Sequence, residues 1–252
     1  MTGTEALLVV SAGLGAGILS STVGVASLLS FPTLVALGLP PVTANVSNTL
    51  GLIPGGASGA VGYRAELREA PGMAMVILTV CSIGAVGGAA LLLALPPGVF
   101  EAVVPWLILF TCLLVGIQPR VAGWLRHRRG EAHGERLHMS PVTTGFTALT
   151  GVYGGYFGAG AGVMMVAVLG LGTDLELRIV NGLKTVSLMA GNVVAGLIFV
   201  VVADPRWDVV ALLAIGSVVG GYVGARIGRK LPDSVFRAAV VVAGLVAAVA
   251  ML

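Results

Sequence analysis

The sequence predicts an all-α polytopic membrane protein built from two inverted-topology repeats, each a broken, Gly-rich helical hairpin followed by three transmembrane helices. Three observations predict it. The 252 residues are 57% hydrophobic and only 10% charged, with a mean hydropathy of +1.02, beyond what a domain with a charged, water-facing surface carries. Several apolar runs reach the roughly 20 residues needed to cross about 30 Å of hydrocarbon, and they lack the alternation of a membrane barrel strand. The second half also echoes the first at a nearly constant spacing.

The first apolar run, about 6 to 39, is too long for one span, and it breaks at Gly24 within Ser20 to Ser27. It therefore reads as a hairpin, with a helix over 5–22 and a short one to 38. Pro40 and Pro41 close it, because proline cannot continue a helix but suits the first turn of the next. Spans follow at 42–63, 72–95 and 98–117, completing a first repeat over 1–117. A basic linker, 118–139, holds Arg120, Arg126, Arg128, Arg129 and Arg136. The second repeat, 140–252, has a broken hairpin at 141–172, interrupted around Gly158, Gly160 and Gly162, then spans at 178–202, 209–225 and 234–252.

The repetition is visible residue by residue, which is how transporter folds are recognised. Gly17 and Gly24 recur 134 residues later as Gly151 and Gly158, and Asn45 and Thr49 recur 136 residues later as Asn181 and Thr185. Leu95, Pro96, Val99 and Phe100 return at the same 136 as Leu231, Pro232, Val235 and Phe236, and Gly84 and Gly88 as Gly220 and Gly224. Three spans after each hairpin make the halves point opposite ways.

Orientation follows from the basic residues. Placing the loops near 64–70, 118–138 and 226–233 on one side gathers Arg64, Arg68, the linker arginines, Arg226, Arg229 and Lys230 there, and the positive-inside rule makes that side cytoplasmic. Both termini are then expected outside the cell membrane. The same topology accounts for the net charge of +3 without a nucleic acid. No basic residue precedes the first apolar run, so a cleaved signal peptide is not expected. Cys81 and Cys112 lie in apolar runs without a second cysteine or histidine at ligand spacing, so neither a disulfide nor a metal site is expected. No cofactor is called for.

Polar residues inside the spans are the candidates for function. On a helix, positions i, i+3 and i+4 share a face, so Asn45, Asn48 and Thr49 form one polar patch and Asn181, Lys184 and Thr185 another. Such side chains are costly in lipid unless they meet each other, water or a solute, and a lysine within a span is a functional-site hypothesis by default. Against that stand plainer roles: Asn and Thr as helix-to-helix hydrogen bonds, Lys184 snorkelling to the cytoplasmic surface, and the glycines at 158, 160 and 162 as packing sites alone.

The run Gly24, Val25, Ala26, Ser27, Leu28, Leu29, Ser30, Phe31, Pro32, the following Ala44, Asn45 and Ser47 to Thr49, the second copy Gly158 to Gly162, and Gly220 to Arg226 together resemble the TauE/SafE, or TSUP, family of sulfite and sulfonate exporters. The likeness spans nearly the whole chain, with Ala26 and Ser27 standing where the family usually has glycines. It implies export of small sulfur-containing anions such as sulfite, sulfoacetate or related sulfonates. The expected partners are such an anion and the lipid bilayer; a homodimer is compatible with the sequence but not specified by it.

The residues permit an anion site independently. If each hairpin turns near the bilayer midplane, its second helix starts there, near Ser27 in one half and Gly160 and Gly162 in the other. Unpaired N–H groups and the positive end of the helix dipole then face the solute. Thr49 and Thr185 lie roughly 10–12 Å into their helices at about 1.5 Å per residue, so the two patches converge on one cavity where Asn and Thr donate hydrogen bonds and Lys184 adds charge. The mid-span regions hold no Asp or Glu, so an alternating-access exporter driven by the membrane potential and the solute gradient is expected. An anion channel and a carrier of a non-sulfur anion or of opposite direction remain alternatives. An enzyme is not expected, since the sequence holds no HExxH, no paired mid-span carboxylates and no serine with a histidine or lysine at catalytic spacing.

Overall fold

The structure, a computed structural model, describes residues 1–129 and 139–227, together with 241–242, 244–246 and 248–249. Most of the expected span 234–252, and Arg136, Arg229 and Lys230, lie outside the described residues. Those residues form helices and no strand: α1 (Gly3–Thr22), α2 (Ser27–Ala36), α3 (Pro41–Gly62), α4 (Arg64–Glu69), α5 (Pro71–Ala94), α6 (Pro97–Arg129), α7 (Pro141–Tyr156), α8 (Ala161–Gly172), α9 (Leu177–Val202) and α10 (Trp207–Ile227). Five are long and apolar enough to cross a membrane: α1, α5, Pro97–Arg120 of α6, α9 and α10.

Local chemistry sets the ends. Thr2 and Glu5 close a capping box on α1, Ser140 accepts from the Thr143 N–H at the start of α7, and Pro41, Pro71 and Pro141 occupy first turns, where the missing N–H costs nothing. Helices α2 and α8 have 10 and 12 residues, about 15 and 18 Å at 1.5 Å per residue, so neither crosses the hydrocarbon alone. Helix α3 has 22 residues but is not one of the five apolar helices. Its Asn45, Ser47, Asn48 and Thr49 are all buried inside the protein, facing other helices rather than lipid. Two elements differ from the sequence expectation. Helix α6 runs on past residue 117 to Arg129, and the basic loop 64–70 contains α4, whose Glu66 is only 4% exposed.

Glycine faces determine which helices touch and in which direction. Gly13 and Gly17 of α1 lie against Leu213 and Ser217 of α10, where an added methyl would come within 2.5 Å of each carbonyl oxygen, and Ile18 lies against Gly224. The two helices therefore run parallel. Helix α3 joins them in the same sense, with Gly51, Gly55 and Gly62 against Leu213, Ser217 and Ala225. In the other half, Cys81, Gly84, Ala85 and Gly88 of α5 meet Gly151, Ala148, Gly155 and Val152 of α7, again parallel, and Cys81 and Ala85 sit beside Ser187 and Gly191 of α9. The two groups meet where α3 crosses α9 head to tail: Gly59 faces Thr185, Gly56 faces Met189, and Gly196 faces Leu50 and Ile53. Hence α1 and α7, α3 and α9, and α5 and α10, which correspond in sequence, run in opposite directions. Close small-residue packing of this kind is what holds helices together in lipid.

Candidate functional site

Both broken hairpins turn on glycines in a left-handed conformation, Gly24 at φ 88° after α1 and Gly158 and Gly160 at φ 79° and 78° after α7. Other residues pay a steric penalty there. The two turns touch backbone to backbone: a methyl on Gly162 would fall 2.5 Å from the Gly24 Cα, and one on Gly24 2.7 Å from the Gly162 Cα. At the start of α2 the Ala26 and Ser27 N–H groups find no acceptor among the described residues, leaving the positive end of that helix uncapped.

Each half also closes a helix end belonging to the other. At the end of α7, the Asn45 amide of α3 donates to the Tyr156 carbonyl at 3.0 Å. At the end of α1, the Lys184 ammonium of α9 donates to the Ser21 and Thr22 carbonyls at 3.2 and 3.1 Å, and the Tyr63 hydroxyl also donates to Ser21 O at 3.0 Å. A cation suits carbonyls at a helix C-terminus. Lys184 is wholly buried, so its amine does not snorkel to the surface.

Asn48 sits one helical turn further along and braces α2. Its amide donates to Ser27 Oγ at 3.0 Å while its carbonyl oxygen accepts from Ser30 Oγ at 2.5 Å. Since Ser27 Oγ accepts from Asn48, its own proton is available for something else. Thr49 and Thr185 both donate back to the carbonyl four residues earlier, Asn45 O and Asn181 O, at 2.9 Å. Gly160 opens α8 against Thr111 of α6. There the Thr111 and Tyr153 hydroxyls both donate to the Ala159 carbonyl, at 2.9 and 2.6 Å. Asn181 is half-buried and its side chain bonds no described residue.

Between the two turns lies a partly enclosed cavity of about 40 Å³, walled by Gly24, Ala26, Ser27, Gly154, Gly158 and Gly191 and by the apolar Leu52, Met165 and Leu188, with Ser20, Thr150, Ser187 and Asn192 adding polar groups. One water needs roughly 10–15 Å³ measured in this way, so the space suits a small solute. Of the nine residues the sequence singled out, Ser27 lines it directly. Asn48 orients Ser27, Gly162 backs Gly24, and Asn45 and Lys184 hold the helix ends that frame it. The hydroxyls of Thr49 and Thr185 serve their own helices, Gly160 packs on α6, and Asn181 stands apart.

Sequence inspection missed Asn192, although it continues the stripe Lys184, Ser187, Leu188, Gly191, Asn192 at i, i+3, i+4, i+7 and i+8. That periodicity was the available signal. It also missed Glu66, which reads as a loop acid; α4 buries it against α9, where Gly182 packs on Glu66 and Tyr63.

A family model described as sulfite exporter TauE/SafE matches residues 9–251. Among curated proteins, the chain is 26% identical to the probable membrane transporter protein ORF9 of Sinorhizobium sp, over 94% of this chain and 88% of that one. It is 24% identical to a probable membrane transporter protein of Haemophilus influenzae, over 91% and 88%, and 22% identical to the probable membrane transporter protein YfcA of Escherichia coli K12, over 86% and 79%. No solved structure matches.

Proposed function

The chain belongs to the sulfite exporter TauE/SafE family and is a membrane transporter, and from that premise we propose that it exports a small sulfur-containing anion, sulfite, sulfoacetate or a related sulfonate, by alternating access. One observation carries the proposal: two helix breaks stand back to back, and the uncapped start of α2 opens onto a partly enclosed cavity between them whose largely apolar wall carries the Ser20, Ser27, Thr150, Ser187 and Asn192 side chains. Free N–H groups at a helix start favour an anion, and burial strengthens that preference.

The opposed directions of corresponding helices support two inverted copies of one unit. In such a pair, rocking one half against the other exposes a shared central site to each side in turn. The Gly24–Gly162 contact is the natural pivot, because neither residue carries a side chain to obstruct it. The arginines of the linker and of α4, taken with the positive-inside rule, favour a cytoplasmic location for those segments and termini outside the cell membrane.

Among the described residues the cavity lining contains no carboxylate and no histidine, which supports facilitative transport that follows the potential. A potential negative inside contributes about 2.3 kcal/mol per charge per 100 mV, roughly a 50-fold ratio of external to internal anion at equilibrium. Purified protein in liposomes tests this: radiolabelled sulfite should move toward the positive side when a potassium diffusion potential is imposed at equal pH. Sulfite movement that needs a pH gradient and ignores the potential would refute it.

A further inference from the structure

The cavity between the two turns presents hydrogen-bond donors and no cation. Among the described residues its lining includes no Lys, Arg or His, and Lys184, one layer behind Gly24, holds its ammonium on the carbonyls that end α1. The donors are the Ala26 and Ser27 N–H groups, the Ser27 hydroxyl whose lone pair Asn48 occupies, and the Ser20 hydroxyl and Asn192 amide, which bond no described residue. Charge then decides the ligand class, because the cost of desolvating an ion rises with the square of its charge, and neutral dipoles without a buried countercharge offset that cost for one charge far better than for two.

We propose that this cavity binds one small, singly charged oxyanion, hydrogensulfite among the sulfur anions, and rejects dianions such as sulfate and sulfoacetate. The inference rests on the transport function proposed above and narrows its substrate. Five of the wall residues are glycines, and two of them have room for a side chain. A methyl on Gly154 would meet only the Ala161 Cβ, at 3.9 Å, and one on Gly191 only the Ala85 Cβ, at 3.8 Å. Alanine at either position takes space from the cavity without straining the fold.

The test uses the full chain in liposomes, with flux in protein-free vesicles subtracted. Hydrogensulfite loses its proton near neutral pH, so each further pH unit lowers its share of total sulfite about tenfold. Sulfite flux should fall by the same factor, while chlorate, singly charged at every pH used, moves at a constant rate. Sulfate and sulfoacetate should stay at the blank level. Gly154→Ala and Gly191→Ala should each reduce chlorate and sulfite flux at unchanged melting temperature. Sulfate or sulfoacetate flux comparable with sulfite overturns the inference and leaves transport intact. So does a sulfite-to-chlorate ratio indifferent to pH, or unaltered flux in both alanine variants. Absence of flux for every anion, from vesicles whose protein is folded by circular dichroism, overturns the transport function as well.

Discussion

Gly162→Ala probes the contact on which the whole site depends. The new methyl would lie 2.5 Å from the Gly24 Cα, 2.7 Å from its carbonyl oxygen and 3.0 Å from its carbonyl carbon. All three are backbone atoms that no rotamer change can move. Ordinary carbon contacts need about 3.5 Å or more, so the two turns must separate by roughly 1 Å. Overpacking of this kind costs about 1–3 kcal/mol, or roughly 2–12 °C in melting midpoint for a chain of this length. Separating the turns also draws the start of α2 away from Asn48 and widens the cavity, so anion flux should drop sharply. The assay pairs thermal melting of the purified protein with liposome flux, using Gly154→Ala as the control for an added methyl in the melting measurement alone. Gly162→Ala melting together with the wild type would refute the backbone-to-backbone contact and with it the location of the site.

Asn48→Ala removes both hydrogen bonds that brace α2 and frees Ser27 to turn; apparent anion affinity should weaken by about 1–3 kcal/mol, read as a roughly 5- to 150-fold higher half-saturation concentration. Lys184→Met leaves the Ser21 and Thr22 carbonyls short of a donor and should lower stability by about 1–3 kcal/mol, seen as a lower melting midpoint, whereas a surface lysine would show no change. Tyr153→Phe deletes the 2.6 Å bond to the Ala159 carbonyl while Thr111 still donates there, so the loss should stay near about 1 kcal/mol. Arg178, exposed and paired with Glu69 and Glu176, should tolerate alanine within about 0.5 kcal/mol in the same melting assay.

Much of the helical layout was legible because its signals are local. Glycine at 24, 158 and 160 marks backbone that L side chains avoid, proline marks first turns, and apolar run lengths mark spans. The two polar patches were legible as faces, since helical periodicity alone places Asn45 with Asn48 and Lys184 with Thr185. What periodicity cannot supply is the neighbour opposite each face. That Lys184 ends on carbonyls 162 and 163 residues away follows only from α9 crossing the end of α1. Asn192 escaped notice because a lone asparagine in an apolar run looks the same whether it bonds another helix or borders a cavity. Glu66 escaped because a six-residue helix with two arginines reads as a cytoplasmic loop until packing against α9 buries it.

The central claim is that an anion rests between the two helix breaks, held by the start of α2 with Ser20, Ser27 and Asn192. The most direct measurement is a crystal structure of the protein grown with hydrogenselenite, whose selenium scatters anomalously and whose shape and charge match hydrogensulfite. A selenium peak within hydrogen-bonding reach of the Ala26 and Ser27 N–H groups is the predicted result. A peak beside the Lys184 ammonium, or none in that cavity at saturating anion, would contradict it.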